Sequence, residues 1–401
     1  MLGSEPLLGN LTHLYIHLMD FNGQAVYPRL IIGPKLQMLH ISHDPDGAAS
    51  PPFSIWSNLS CTLSTVTELQ SLTFSTDIRR DDRFLPGDMQ ILLPAFRAPK
   101  SIRRLAIPID LDLATLQHFA NSTSLVEFEF SVSSAIIHDF LSTSSLVHIF
   151  EHIEELEIET DDIGAVQLLL QWDGFENLHT LHLNRNNPRM PCNLHNLFAA
   201  FSHNNRAIDI KHVSAADMRR QLTPIPAVHA SHTLSPLWTF TNVTTLSIDM
   251  NESILLDDYI LNSMVSRWPH LQSLQLYDWR DPTLTTPSSI TLNGMLTLAE
   301  CHDLRSLALR VNAYESIPDI SMTKCASSGR KLEHFCLCRS PAQRPYALAR
   351  FFQMIFPNLI NLSYGYDRDH TEFASIENIS QLETEYFECW REVWRLLTDG
   401  K

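Results

Sequence analysis

The sequence is poor in positive charge. It has 29 Lys and Arg residues against 45 Asp and Glu residues, which gives a formal net charge of -16 at pH 7. A protein that binds nucleic acid through its phosphates needs an excess of Lys and Arg to displace the counterions of the phosphates. Short basic pairs such as Arg79-Arg80 and Arg103-Arg104 are too small to reverse this balance. The composition therefore predicts that nucleic acid is not a partner.

Cysteines and long apolar segments are also scarce. Seven cysteines in 401 residues, with no repeated spacing, indicate reduced thiols rather than a disulfide framework. No apolar run approaches the roughly 18 residues of a membrane-spanning helix. The opening MLGSEPLLGN lacks the basic and apolar stretches of a secretion signal, and neither terminus carries a lipidation motif. We therefore expect an intracellular protein, in the cytoplasm or the nucleus, that does not bind a membrane.

Familiar catalytic motifs are missing from the sequence. It contains no G-x-S-x-G, G-x-x-x-x-G-K-[ST], G-x-G-x-x-G or H-E-x-x-H motif and no EF-hand loop. Its 19 histidines guarantee chance combinations with Ser and Asp, and such combinations mean nothing without geometry. The sequence therefore predicts a protein that is not an enzyme and that has no cofactor and no bound metal.

One short segment contains residue types that bind metals. His334, Cys336 and Cys338 alternate along a predicted strand, so a metal or redox site is one interpretation. The C-x-C spacing differs from the C-x₂₋₄-C spacing of paired zinc ligands. The spacing favours the other interpretation, exposed or partly covered thiols.

What the sequence has instead is a repeat. A six-residue frame, apolar-x-x-apolar-x-apolar, recurs along the chain, and the segment NRAIDI that ends at Ile210 is a degraded copy. The first and last frames start at Leu11 and Leu359 and are twelve intervals apart, which gives a mean of 29 residues per repeat. The clear copies are LTHLYI, LQMLHI, LQSLTF, IRRLAI, LVEFEF, IEELEI, LHTLHL, VTTLSI, LQSLQL, LRSLAL, LEHFCL and LINLSY. The L-x-x-L-x-L pattern and this period are typical of the strand of a leucine-rich repeat.

A second signal lies at the end of each predicted strand. Eight residues after the start of the frame, ten of the twelve clear copies have Asp, Asn or Ser, whereas Met19 and Trp279 break the pattern. A short polar side chain at this exit position can bond the backbone as the chain leaves the strand. The exit residues are Asp44, Asp77, Asp110, Ser133, Asp161, Asn186, Asn251, Asn312, Ser340 and Asp367.

The repeats predict an α/β fold, a leucine-rich-repeat solenoid of about 12–13 irregular repeats. A curved parallel sheet would line the concave face and helices the convex face. We expect the solenoid to cover residues 1–370, with an irregular, loop-rich excursion near 187–240, and a C-terminal helical cap to cover 371–401. Buried strands of an α/β enzyme remain an alternative, but such folds do not require a constant period or a shared polar exit position. A parallel β-helix is another, but its units are usually strand-only, whereas the segments here are long enough for helices.

The period of two in a strand identifies the residues on the predicted concave face. They include Glu127 and Glu129 of one repeat, then Glu155, Glu157 and Glu159 of the next, with His182 beside them. One interpretation is an acidic patch that docks a Lys/Arg-rich protein segment, and the other is a solvated polar face without a partner. A cation site is less favoured, because Ca²⁺ prefers oxygens that converge from flexible loops.

Three repeats, WPHLQSLQL, FPNLINLSY and CHDLRSLALRV, resemble the leucine-rich-repeat region of the F-box protein families of mushroom-forming fungi. The resemblance covers residues 11–367 and implies a substrate receptor of a cullin-RING ubiquitin ligase. In these families an N-terminal F-box docks on a Skp-type adaptor. MLGSEPLLGN does not match the F-box opening L-P-x-E-[IL]-[LW], so we expect a Skp-type adaptor only if an F-box lies outside this chain. The alternatives are a scaffold with no ubiquitin role and, as another class, a glycan-processing enzyme with paired carboxylates.

Overall fold

The computed structural model describes most of the chain, in fourteen segments. They are residues 8–18, 32–43, 53–76, 87–143, 149–171, 174–187, 193–203, 209–217, 228–250, 254–277, 288–314, 316–318, 331–364 and 381–399. The predicted exit residues Asp44, Asp77, Asn251 and Asp367 lie outside these segments. The chain divides into two compact units, Met1–Asp209 with Asp217–Arg220 and Ile210–Ala216 with Gln221–Lys401.

The first unit contains seven strands that pair in parallel in the order of the chain. They are β1 His13–Leu18, β2 Met38–His43, β3 Ser71–Thr76, β4 Arg104–Asp110, β5 Glu127–Val132, β6 Glu155–Thr160 and β7 Thr180–Arg185. Each strand begins at the third residue of its six-residue frame. The predicted frame therefore sets both the position and the register of these strands.

From β2 onward, helices connect the strands of the first unit and pack on one side of its sheet. Phe119, in the helix Leu113–Ala120, packs against Phe128 of β5, with 5.4 Å between the ring centroids. Phe74 of β3 contacts Phe96 in the same manner, with centroids 5.6 Å apart. The helices are Phe53–Leu63, Leu93–Phe96, Leu113–Ala120, Ser134–Thr143, Ile163–Leu170 and Leu194–His203, with a 3₁₀ helix at Gly87–Leu92.

The sheet of the first unit consequently has two different faces. The fourth and sixth residues of a frame, such as Leu156 and Ile158 in β6, are buried on the side of the helices. The third and fifth residues, such as Glu155 and Glu157, point to the other side because successive side chains of a strand alternate. We call this second side the polar face.

The second unit repeats the same design. Its parallel strands are β8 His212–Asp217, β10 Thr245–Asp249, β12 Ser273–Leu276, β13 Ser306–Ala308, β14 His334–Cys336 and β15 Asn361–Ser363, and a separate pair is formed by β9 Val228–His229 and β11 Ile254–Leu255. The last residue of β8, Asp217, is assigned to the first unit. Its helices are Ala230–Thr233, Asp258–Arg267, Leu292–Leu298, Pro345–Ile355 and Gln381–Asp399, with a 3₁₀ helix at Ser235–Thr239. Asp257 caps the helix Asp258–Arg267 by accepting a hydrogen bond from the amide of Ile260 at 2.8 Å.

The position predicted for the degraded repeat is wrong. The frame was placed on NRAIDI, which ends at Ile210, but the strand starts at His212 and pairs in register with Thr245. The frame is therefore Ile210-x-x-Val213-x-Ala215. All three of these residues are buried, and the small Ala215 at the last apolar position concealed the frame.

The C-terminal helix Gln381–Asp399 belongs to the second unit. It buries Trp390, Val393 and Leu397, and the indole of Trp390 donates a hydrogen bond of 2.8 Å to the carbonyl oxygen of Ser340. The ring of Trp390 also lies 5.7 Å from that of Phe352 in the preceding helix. These contacts agree with the apolar spacing of the segment, while its role as a cap stays a prediction.

Candidate protein-interaction surface

The five predicted glutamates lie together on the polar face of the first unit. Glu127 is directly opposite Glu155, and Glu129 is directly opposite Glu157, on the neighbouring parallel strands β5 and β6. The last glutamate, Glu159, lies opposite a serine of β5. Neighbouring strands are about 4.8 Å apart, so the two glutamate pairs bring like charges close together. We call these five residues the acidic patch.

Glu129 is the most perturbed residue of the patch. Its burial raises the pKa of its carboxyl to about 7, the charges of Glu157 and Glu159 add to the increase, and Arg104 opposes it. Burial deprives the ionised carboxylate of hydration, and the neighbouring carboxylates repel its charge. Both effects favour the protonated form. Near neutral pH, Glu129 therefore exchanges between its protonated and its charged form.

Polar side chains from the neighbouring repeats hold the edges of the patch. On the β4 side, the guanidinium Nε of Arg104 lies 3.1 Å from Glu127 Oε2. On the β7 side, the amide of Asn184 donates to Glu157 Oε1 at 2.6 Å, and that of Asn186 donates to Glu159 Oε1 at 3.3 Å. These contacts orient three carboxylates of the patch along the sheet.

The predicted flanking residue His182 also lies on this face. It is half-buried and is directly opposite Glu157, on β7. Strand alternation predicted His182 on this face, but it did not predict that Arg104, Asn184 and Asn186 contact the glutamates. Their positions in neighbouring repeats carried that signal, because residues at equivalent frame positions become neighbours across the sheet.

The other end of the polar face is aromatic and neutral. Tyr15 and His40 stack with their rings 4.5 Å apart, and the Tyr15 hydroxyl donates to Ser42 at 3.1 Å. Burial, followed by the charge of Arg104, lowers the pKa of His40, so this imidazole favours its neutral form. The negative charge of the face is therefore concentrated on β5 and β6.

Six of the ten predicted exit residues lie within the described segments, and the side chains of four of these six bond different groups. Asp161 accepts a hydrogen bond of 2.7 Å from the amide of Ser134, at the start of the preceding repeat's helix. Asn312 accepts one of 3.2 Å from the amide of Tyr314. Asp110 accepts one of 2.7 Å from the hydroxyl of Ser131, and Asn186 contacts Glu159 as described above. The exit position thus provides short polar groups to backbone and side chains alike.

The segment with the two cysteines differs from a regular strand. His334 is exposed and Cys336 half-buried at the two ends of β14, whereas Cys338 is buried beyond the end of the strand. The sulfur atoms of Cys336 and Cys338 are 3.9 Å apart. Within the described segments, no three His, Cys, Asp or Glu residues are arranged to hold a metal ion.

The architecture defines the class of the fold. Each unit has a parallel sheet whose strands follow an L-x-x-L-x-L frame at intervals of 23 to 33 residues, with helices between most of them. This is the leucine-rich-repeat fold, an α/β architecture. In the part of the chain that the structure describes, no helix is both long enough and apolar enough to cross a membrane.

Comparisons with known proteins assign no family. No family model matches the chain, and no curated protein matches it. Among solved structures, it aligns with an internalin (InlF) of Listeria monocytogenes at a TM-score of 0.37 and 14% identity, over 82% of this chain and 87% of the internalin. It also aligns with the leucine-rich-repeat-containing protein LegL7 of Legionella pneumophila at a TM-score of 0.34 and 13% identity, over 97% of this chain and 98% of LegL7.

Proposed function

We propose that this protein is a non-catalytic protein-binding module that binds a Lys/Arg-rich segment of a partner protein at the acidic patch. The observation that carries the proposal is the register of β5 and β6, which sets Glu127 against Glu155 and Glu129 against Glu157. Like charges at paired positions destabilise a sheet. A bound cationic partner would reduce the repulsion between the glutamates. This decrease in free energy would contribute to the affinity and specificity of binding.

The contacts at the edges of the patch support this proposal. Arg104, Asn184 and Asn186 contact three of the carboxylates and orient them. A preorganised site binds more tightly because fewer side chains lose freedom when the partner arrives. The solvated-face interpretation differs in its consequence, since it predicts that removal of the charges leaves partner binding unchanged.

An enzyme with paired carboxylates is the second candidate function. The observation that favours it is the raised pKa of Glu129 beside Glu157, because a glycosidase pairs a protonated acid with an ionised carboxylate. Both groups, however, extend from the open face of a sheet. A groove of about 620 Å³ lies instead at the N-terminal ends of the strands. It is lined by residues such as Gln70, Arg103 and Asn177. We therefore prefer the binding function. If the protein hydrolysed aryl glycosides and the Glu129→Gln variant did not, the result would support the enzyme instead.

The binding proposal is tested with a defined probe, a fluorescent peptide of alternating Lys and Ser. We expect a variant with all five patch glutamates changed to Gln to bind it about tenfold more weakly and with a smaller dependence on salt. A control variant carries five Glu→Gln changes at exposed positions outside the patch and has the same net charge. The control positions are Glu68, Glu154, Glu176, Glu300 and Glu385. Equal weakening in both variants would mean that net charge, and not the patch, attracts the peptide.

As the cellular setting we propose substrate recognition in an intracellular F-box-type ubiquitin ligase. This part rests on the resemblance of the repeats to those of the fungal F-box families. Capture of the full-length native gene product should recover a Skp-type adaptor and a cullin. Both should be depleted when the bait is this chain alone, without any segment encoded upstream of Met1. Recovery of neither protein with the full native product would leave a repeat scaffold with no ubiquitin role.

A further inference from the structure

The two cysteines at the end of β14 form a close pair. Their sulfur atoms are 3.9 Å apart, and the thiol of Cys338 points back to the carbonyl oxygen of Cys336 at 3.7 Å. In a disulfide the sulfurs are about 2.05 Å apart. A movement of about 2 Å, within reach of side-chain rotation, would therefore join them.

The backbone conformation that brings the thiols together is unusual. Cys338 and Arg339 have φ angles of 46° and 59°, in the left-handed region that residues with a Cβ seldom occupy. Neighbouring groups hold this turn in place. The amides of Leu337 and Arg339 donate to the carbonyl oxygens of Ser363 and Tyr364 at 2.8 and 2.9 Å. A backbone outlier of this kind, held by its surroundings, is typical of functional sites.

The residue after the turn fixes it further. The hydroxyl of Ser340 donates to the carbonyl oxygen of Leu337 and accepts a hydrogen bond of 2.7 Å from the amide of Val311. The carbonyl oxygen of Ser340 accepts the indole N–H of Trp390 at 2.8 Å. The turn is thus tied to a neighbouring repeat and to the C-terminal helix, which limits the ways in which the two thiols can separate.

We propose that Cys336 and Cys338 form a redox-active dithiol, which low-molecular-weight disulfides such as glutathione disulfide oxidise to an intramolecular disulfide. The half-buried Cys336 loses its proton to solvent and attacks one sulfur of glutathione disulfide, which releases one glutathione thiolate. Cys338 then loses its proton and attacks the Cys336 sulfur, which expels the second glutathione thiolate. The two protein thiols give up two electrons and two protons, and two molecules of glutathione are formed.

The other described cysteines lack this arrangement. Burial raises the pKa of Cys301 to about 12 and that of Cys389 to about 11, which keeps both thiols protonated and unreactive near neutral pH. Cys61 is exposed on a helix. It can form a mixed disulfide with glutathione, but no second cysteine of the described segments is paired with it to resolve that adduct, so Cys61 is an internal control.

The test uses the full chain in glutathione buffers of graded redox ratio, followed by acid quenching, alkylation and trypsin digestion. Cleavage after Lys331 and Arg339 releases one peptide, Leu332–Arg339, that contains both cysteines. We expect this peptide to appear without alkylation and two hydrogen atoms lighter, while Cys61 is recovered alkylated or as its glutathione adduct. In Cys338→Ser, the glutathione adduct of Cys336 should accumulate instead, because the resolving thiol is absent.

Comparison with the chain unfolded in urea tests whether the fold prepares the pair. We expect the equilibrium constant for disulfide formation to be at least about tenfold larger in the folded chain, which is about 30 mV for a two-electron couple. The proposal is overturned if the folded peptide stays reduced where Cys61 reacts, if it carries only glutathione adducts, or if folding leaves the constant unchanged.

Discussion

Glu129 of β5 and Glu157 of β6 occupy paired positions on neighbouring parallel strands, and the charge of Glu157 contributes to the raised pKa of Glu129. Burial makes the largest contribution to this increase. The two residues are 28 positions apart in the sequence, one repeat length, so the repeat itself brings them together. The pair links the fold to the proposed function, because a cationic partner would favour the ionised form of Glu129.

Glu129→Gln should stabilise the protein above neutral pH. The pKa of Glu129 is raised to about 7 in the folded state against 4.5 for the ordinary group, so the folded state holds the proton more tightly than the unfolded state. The stability that this residue contributes is therefore complete below pH 4.5 and is lost as the pH rises through about 7. Gln resembles the protonated form at every pH, and we expect a gain of about 1–3 kcal/mol at pH 8 that shrinks towards pH 5.

Urea unfolding of wild type and Glu129→Gln across this pH range measures the difference. The control is Glu155→Gln, which removes a charge from an exposed residue of the same patch that does not contribute to the pKa of Glu129. A constant difference between wild type and Glu129→Gln from pH 5 to pH 8 would contradict the raised pKa.

Asp161→Ala should destabilise the first unit through the helix of the preceding repeat. Asp161 accepts hydrogen bonds from both the amide and the hydroxyl of Ser134, the first residue of the helix Ser134–Thr143. Loss of such a capping contact costs about 0.5–2 kcal/mol. We expect faster amide hydrogen exchange at the start of this helix, and Asp161→Asn should recover part of the protection. Unchanged exchange there would show that Asp161 has no structural role at the exit position.

Asp217→Asn should have the largest effect on stability of the changes considered. Arg185 and Asp217 form a two-point ion pair in the first unit, with Arg185 Nε 2.5 Å from Oδ1 and the second guanidinium contact at 2.8 Å, and the two side chains are 1% and 2% exposed. Loss of one partner of a buried pair removes the counter-charge of the other, at a cost of about 3–5 kcal/mol. Urea unfolding should show this loss, and Arg185→Met combined with Asp217→Leu should recover most of it. A cost below about 1 kcal/mol for Asp217→Asn would mean that the pair is solvated.

The strand positions could be predicted from the sequence because the frame is periodic. The apolar residues Ile153, Leu156 and Ile158 gave the register of β6, and with it the face on which Glu155 and Glu157 lie. The frame at Ile210 was misplaced because Ala215 is small enough to be overlooked as a core residue. Periodicity identifies which side of a strand is buried, but it fails where a small residue occupies a position that is large and apolar in the other repeats.

The chemistry within the sites could not be predicted in the same way. The pKa of Glu129 depends on its burial and on charges from β4 and β6, and the contact of Arg104 with Glu127 depends on side-chain conformation. For Cys338, strand alternation predicted a continuation of the strand with His334 and Cys336, whereas the left-handed backbone beyond the strand turns its thiol towards Cys336. The sequence pattern predicts on which face of the sheet a residue lies and which residues are its neighbours. The pKa shift and the side-chain contacts arise from packing between repeats, which the pattern does not show.

The release of protons on binding tests the central claim most directly. Calorimetric titration of the Lys-Ser peptide at pH 7, in buffers that differ in ionisation enthalpy, counts the protons released when the peptide binds. With a pKa of about 7, Glu129 is about half protonated at this pH, so wild type should release up to about half a proton, and Glu129→Gln should release close to none. Equal proton release by the two proteins, or binding by wild type with no release, would contradict a peptide site at Glu129 and its neighbours.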